Sequence, residues 1–240
     1  MKSDDFQPEH PWWDGPLPKP QVRNAGDLRE VIACPDCPFE GPLYYMYRDL
    51  ARTAQERAWL GRHDLRFDIT AIPPASLCGE YVKTKGHHHP KNPAGTGYPE
   101  LYEVLEGRVH YLLQSRDLTD VILVDAMEGD LVVIPPEYGH VSINPAESLL
   151  VMSNIVSTRF SSEYTEYEAC RGAAYYEMRN EGFIRNMHYP RVPDIRRVDP
   201  RVSGHLAGQS IGNLIGDEEA LMFLNRPEDF RDLFSRIVKG

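Results

Sequence analysis

One stretch of the chain carries residues that could ligate a metal and move protons, spaced as strands would need them. His87-His88-His89 is followed by Glu100, and another histidine, His140, stands further along. Successive residues of a strand point to opposite faces, so His87 and His89 share a face and His88 takes the other. A carboxylate from Glu100 and a third imidazole from His140, supplied by neighbouring strands, would complete a set of three nitrogens and one oxygen. Such a set suits a divalent transition ion with one or two positions left for substrate or water. An H-x-H pair alone says little, because histidines are common on surfaces and in hydrogen-bonded cores. Rival acids lie close by. Glu103 is an odd number of residues from Glu100 and should face outward on a regular strand, whereas Glu106 has the matching parity but adjoins the Gly107 turn. His110, in the next strand, reads as a surface or packing residue. Cys34 and Cys37 form a lone C-x-x-C with no second pair at zinc-ribbon spacing and no βαβ context, which marks them as structural or incidental thiols.

The elements that must position these groups are strands. The pattern predicts strands over Leu43–Tyr47, Leu65–Ile72, Leu101–Leu105, Val109–Gln114, Val121–Val124, Leu131–Ile134, Val141–Asn144 and Leu149–Ile155. They are short, rich in β-branched and aromatic residues, and separated by Gly, Pro, Asp and Asn turns. In the second of them Leu65, Phe67, Ile69 and Ala71 alternate with Arg66, Asp68 and Thr70. Many such strands in succession suggest an all-β sandwich or barrel, the jelly roll among them. Ahead of them, the proline-rich stretch from Pro8 to Pro20 should be an extended arm, with Trp12 and Trp13 against the body of the protein. Asn24–Val31 could form a short helix with Asp27 near its start. At the far end, Phe230, Leu233, Phe234, Ile237 and Val238 follow helical spacing. Pro227, Glu228 and Asp229 suit a first helical turn.

Composition narrows the class. With 41% hydrophobic and 26% charged residues in 240, the chain reads as an ordinary soluble protein able to bury a core without disulfides. Its apolar runs are strand-sized, and its first residues lack a secretory pattern, so a cytoplasmic location is the expectation. A formal charge of −10 argues against nucleic acid. The same charge repels an anionic substrate at long range, so local groups or a metal would have to offset it.

The region from Gly79 to Asn144 resembles the two signature motifs of the cupin superfamily. Glu100 stands seven residues before Gly107, as the first motif requires, and Gly129, Pro135, His140 and Asn144 fit the second. Three departures stand out. Tyr81 replaces the first motif's opening glycine, the loop Pro90–Pro99 lengthens the gap to Glu100, and Glu137 stands where many cupins have glycine. The text around the motifs is similar to the cupin-type glucose-6-phosphate isomerases, known chiefly from archaea. It includes Glu40–Arg48, Phe67–Pro74, Lys83–His87, Tyr102 and Pro135–His140, and the likeness runs from about residue 17 to residue 187.

The resemblance implies a double-stranded β-helix barrel over residues 43–190, and the sequence pattern adds an N-terminal extended arm over 1–42 and a C-terminal extension over 191–240 whose amphipathic helix packs on the barrel or a partner subunit. The resemblance also implies a homodimer, and one divalent metal per subunit on His87, His89, Glu100 and His140, with iron foremost and Mn, Ni, Co or Zn as alternatives. Thr70, Thr84 and Gly86 would bind the substrate phosphate and Tyr102 would line the sugar pocket. Lys83 and Lys85 are rival phosphate ligands by strand parity. Tyr164 or Tyr167 would take a role that the family gives to a histidine–aspartate–tyrosine run missing here. The implied reaction interconverts glucose 6-phosphate and fructose 6-phosphate, a step of glycolysis and gluconeogenesis, through a metal-stabilised cis-enediolate. Glu100 would be the proton shuttle. Other readings are a cupin dioxygenase or decarboxylase, and a sugar- or metal-binding cupin without catalysis.

Overall fold

A computed structural model describes residues 13–200, 202 and 204–239, without the side chains from 236 onward. Trp12 and the start of the proline-rich arm lie outside these residues. Residues 13–20 run without regular structure, and Trp13 stacks on Phe67 with ring centroids 6.3 Å apart.

The strands in chain order are Gln21–Asn24 (β1), Pro42–Tyr47 (β2), Leu65–Ile72 (β3), Ser76–Leu77 (β4) and Glu80–Tyr81 (β5). Next come Glu100–Glu106 (β6), Arg108–Ser115 (β7), Val121–Met127 (β8), Leu131–Ile134 (β9) and Tyr138–Ile143 (β10). Leu150–Ser157 (β11), Tyr175–Met178 (β12), Gly182–Arg185 (β13) and Ile195–Val198 (β14) complete the set. All eight strands predicted from the pattern are present, most of them longer by a residue or more. A six-stranded sheet has the order β1-β2-β3-β11-β6-β9, and two four-stranded sheets have the orders β10-β7-β8-β14 and β13-β12-β5-β4. The first two share one core, in which Tyr44, Met46, Val104, Val132 and Met152 meet Val109, Tyr111, Leu113, Ile122 and Val124. The two sheets face each other as the cupin resemblance implies, and isolated bridges tie the segment after β5 to β10. Lys83 bridges Ile143 and His87 bridges His140.

The outer face of the six-stranded sheet is covered as well. Leu65, Phe67, Ile69 and Ala71 of β3 pack with Leu101, Leu131 and Ile155 against Leu206, Ile211, Leu221, Phe223 and Phe234 of the C-terminal extension. The apolar half of the β3 alternation therefore meets this extension, and Arg66, Asp68 and Thr70 turn inward. Asn24–Val31 forms a helix, Ala25–Leu28, with a reciprocal Asn24/Asp27 cap, then a 3-10 turn, Arg29–Val31. Pro227–Asp229 likewise forms a 3-10 turn of its own, ahead of the helix Arg231–Lys239. Among the described residues no helix is long and apolar enough to cross a membrane.

Candidate active site

A cavity of about 410 Å³ lies on the inner face of the six-stranded sheet, lined as well by residues of the 84–89 and 160–164 segments. Its floor is built by register. On β6, Glu100 and Tyr102 point inward; Asn154 of β11 sits opposite Tyr102, and Asp68 of β3 sits opposite Asn154. The segment carrying His87 and His89 runs along β10 and places both rings beside His140.

These side chains converge. The Nε2 atoms of His87 and His89 are 3.2 Å apart, and Glu100 Oε2 lies 3.4 Å from His89 Nε2 and 3.5 Å from His140 Nε2. One donor atom from each of the four residues falls within 4.8 Å of all the others. Tyr98 carbonyl accepts from His89 Nδ1 at 2.9 Å, which leaves the Nε2 lone pair aimed into the cluster. Asn154 Nδ2 donates to Glu100 Oε1 at 2.7 Å, while Oε2 is buried without a hydrogen bond among the described residues. A buried carboxylate oxygen facing imidazole nitrogens is costly unless a cation or proton satisfies it. The donor set and this orphaned oxygen therefore fit a divalent metal.

Electrostatics point the same way. Burial lowers His89 to about 4 and holds His87 and His140 well below the ordinary imidazole value, with neighbouring imidazoles adding to the effect. All three are neutral near pH 7 and carry lone pairs for a metal. Burial raises Glu100 to about 8, against the pull of Arg48. Tyr102 is pushed well up by burial, and its hydroxyl lies 3.1 Å from His140 Nε2.

Of the other sequence-predicted residues, Thr70, Thr84, Tyr102, Lys85 and Tyr164 line the cavity. Thr84 Oγ1 accepts from Ser142 N at 3.0 Å, and Lys85 Nζ pairs with Glu168 at 2.6 Å. Thr84 and His87 face the same cavity in spite of opposite parity, because the chain between them lacks regular strand pairing. Gly86 backs the wall instead of lining it. A Cβ there would come within 2.3 Å of the Tyr167 ring and 2.6 Å of Val141. Tyr167 is fully buried behind that wall, beside His88, which faces away from the cluster. Lys83 is also turned away, buried in an ion pair with Glu80. Glu103 accepts from Ile211 N at 2.7 Å, outside the cavity, and His110 is buried against Glu177 at 2.8 Å.

Sequence reasoning passed over the basic groups of the cavity, Arg23, Arg48 and Arg66, and the Glu100 partner Asn154. For Arg66 the signal available was the inward-facing half of the β3 alternation, where polar residues fall on every second position.

Facing β-sheets with three imidazoles and a carboxylate converging between them define a cupin with a metal-ligating donor set. The sequence profile of the family described as Glucose-6-phosphate isomerase (GPI) matches residues 22–194, most of the chain, and the chain belongs to that family. The glucose-6-phosphate isomerase of Thermococcus litoralis is 31% identical over 84 residues, 35% of this chain and 42% of that protein. That of Pyrococcus furiosus is 26% identical over 128 residues, 53% of this chain and 65% of its own. The chain thus spans about half the length of the curated relatives it matches. Among solved structures, an oxalate decarboxylase of Lactobacillus farciminis aligns with 52% of this chain and 31% of its own. Its identity is 16% and its TM-score 0.38.

Proposed function

We propose that this cavity interconverts glucose 6-phosphate and fructose 6-phosphate, with one divalent transition metal on His87, His89, Glu100 and His140. The observation that carries the reading is the convergence of those four donors at one end of a polar cavity, in a chain of this family. A divalent ion held there would supply Lewis-acid stabilisation for the oxyanion that develops on the substrate. Iron is the first candidate on the resemblance, and the set of nitrogens and one oxygen also suits Mn, Co, Ni or Zn.

The chain's own residues would do the rest. Aldose–ketose isomerisation moves a hydrogen between C1 and C2 of the opened sugar. Asn154 holds one oxygen of Glu100 and fixes the direction of the other. Burial raises the carboxyl of the metal-free site to about 8; a bound ion makes it a weaker base, and Glu100 is the group placed to take and return the substrate's proton. Tyr102 and Tyr164 line the space for the sugar, and Phe160 packs on His89 at 4.5 Å between ring centroids, screening the cluster from water. On the same reading the protein works in the cytoplasm as a homodimer. The deciding assay couples fructose 6-phosphate to glucose 6-phosphate formation, with chelated and metal-reloaded protein. Turnover that vanishes on chelation and returns with metal is the expected result. Full-rate turnover by thoroughly metal-free protein would remove the metal from the reaction.

A further inference from the structure

We infer that the substrate's phosphate is held by a guanidinium pair, Arg48 and Arg66, set on the buried carboxylate of Asp68. This rests on the reading of the cavity as a sugar-phosphate site, and it departs from the hydroxyl-and-backbone phosphate site that the resemblance implies.

Asp68 has no exposed surface. Its Oδ2 accepts from Arg48 Nη1 at 2.6 Å and from Arg66 Nε at 2.9 Å, and its Oδ1 accepts from Asp49 N at 2.9 Å. One carboxylate thus orients two cations that both line the cavity, and the trio keeps a net positive charge. Arg66 engages Asp68 through Nε, so its two terminal nitrogens are directed elsewhere. Arg48 Nη2, by contrast, donates to Met46 Sδ at 3.0 Å, a weak acceptor that an anion can displace. The Arg66 side chain keeps 37% of its surface and that of Arg48 keeps 31%. A guanidinium fork whose orientation is already fixed by a carboxylate loses little freedom on taking a second anion.

The other groups bring less positive charge. Thr84 Oγ1 accepts from Ser142 N and keeps an uncharged O–H to donate, Lys85 is paired with Glu168, and Lys83 lies outside the cavity. On a chain of charge −10, the guanidinium pair, with Arg23 on the same cavity, supplies the local positive charge that can draw in a phosphate dianion.

Spacing agrees as well. Arg66 of β3, Val156 of β11 and Glu100 of β6 stand side by side across the sheet. The backbones of Arg66 and Glu100 are therefore two strand widths apart, roughly 10 Å. An extended hexose phosphate bridges a distance of that order between its carbonyl end and its phosphate. With the carbonyl end at the histidine cluster, the phosphate falls on the β3 side, where Thr70 shares the wall.

The test measures binding of inorganic phosphate to the metal-loaded enzyme by calorimetry, beside steady-state kinetics with fructose 6-phosphate. Arg66→Gln leaves Asp68 still held by Arg48 and Asp49, so the fold should survive. Arg48→Lys keeps the buried countercharge and removes the fork. Each should weaken phosphate binding about tenfold or more, the size expected for charge-assisted hydrogen bonds. Each should also raise KM in parallel, with kcat changed by less than about threefold. Arg197→Gln, an exposed control for net charge, should change neither. The inference fails if both cavity variants bind phosphate like the parent, or if Thr84→Val loses phosphate while they keep it. A parent enzyme that binds no phosphate also overturns it. Arginine-dependent phosphate binding without any isomerisation would uphold the anion site and remove the isomerase reading. Isomerisation with arginine-independent phosphate binding would do the reverse.

Discussion

At the residue scale the site turns on Glu100, for which two roles are proposed. One oxygen is tied to Asn154 and the other faces His89 and His140. A carboxylate that ligates a metal is a weaker base than a free one, so ligand and shuttle have to be separated by experiment. Glu100→Gln keeps shape and an oxygen donor but removes the basic carboxylate. If Glu100 moves the proton, metal-loaded Glu100→Gln should lose about 10²- to 10⁴-fold in kcat, the range for general acid–base groups. Metal content measured on the same sample decides the case. Near-normal turnover in the loaded variant excludes Glu100 as the base and favours a direct hydride shift between C1 and C2. The four ligand candidates were legible because H-x-H parity and the two cupin motifs each constrain position. Arg66 and Asn154 were not, because each sits in a strand whose polar residues look like a solvated face until the facing sheet is in place, and Arg48 was not, because it lies just past the end of β2.

At the scale of elements, parity is informative where strands pair and misleading where they do not. The β3 alternation marked a strand correctly, yet its apolar half packs under the C-terminal extension and its polar half lines the cavity. No periodicity says which face meets water. In the segment from Lys83 to His89 the pairing is reduced to isolated bridges, so Lys83 turns away while Thr84 and Lys85 both reach the cavity. Gly86 explains how that segment is held. Its φ is not among the positive values, so it is glycine for space: Tyr167 occupies the volume a side chain would need. Gly86→Ala should therefore destabilise the fold by about 1–3 kcal/mol, as overpacking of a tight core does, read from a denaturant midpoint. Combining it with Tyr167→Leu should return part of that loss. A double variant that shows simple additivity would mean that Gly86 and Tyr167 are not in the contact described.

For the whole molecule, the burial that shapes the cavity also links metal, pH and stability. Enclosing the cluster between two sheets lowers the three histidines and raises Glu100 to about 8. In the metal-free protein Glu100 is therefore protonated at neutral pH, while in the unfolded chain it titrates near 4.5. A group whose folded pKa is raised contributes stability fully below its unfolded value, and that contribution is lost as pH rises towards the folded one. Metal-free protein should accordingly lose stability between pH 4.5 and 8 through this group. Metal binding replaces the proton. At pH 7 it should release about one proton per ion, measurable by calorimetry in buffers of different ionisation enthalpy. The thermal midpoint gap between metal-loaded and metal-free protein should widen as pH rises through this window and level off above it. In Glu100→Gln the proton release from this position disappears and the widening shrinks, provided the variant still takes up metal. A gap of constant size in the parent across the same window would mean that Glu100 is ionised without metal, and that its burial is compensated by Arg48 after all.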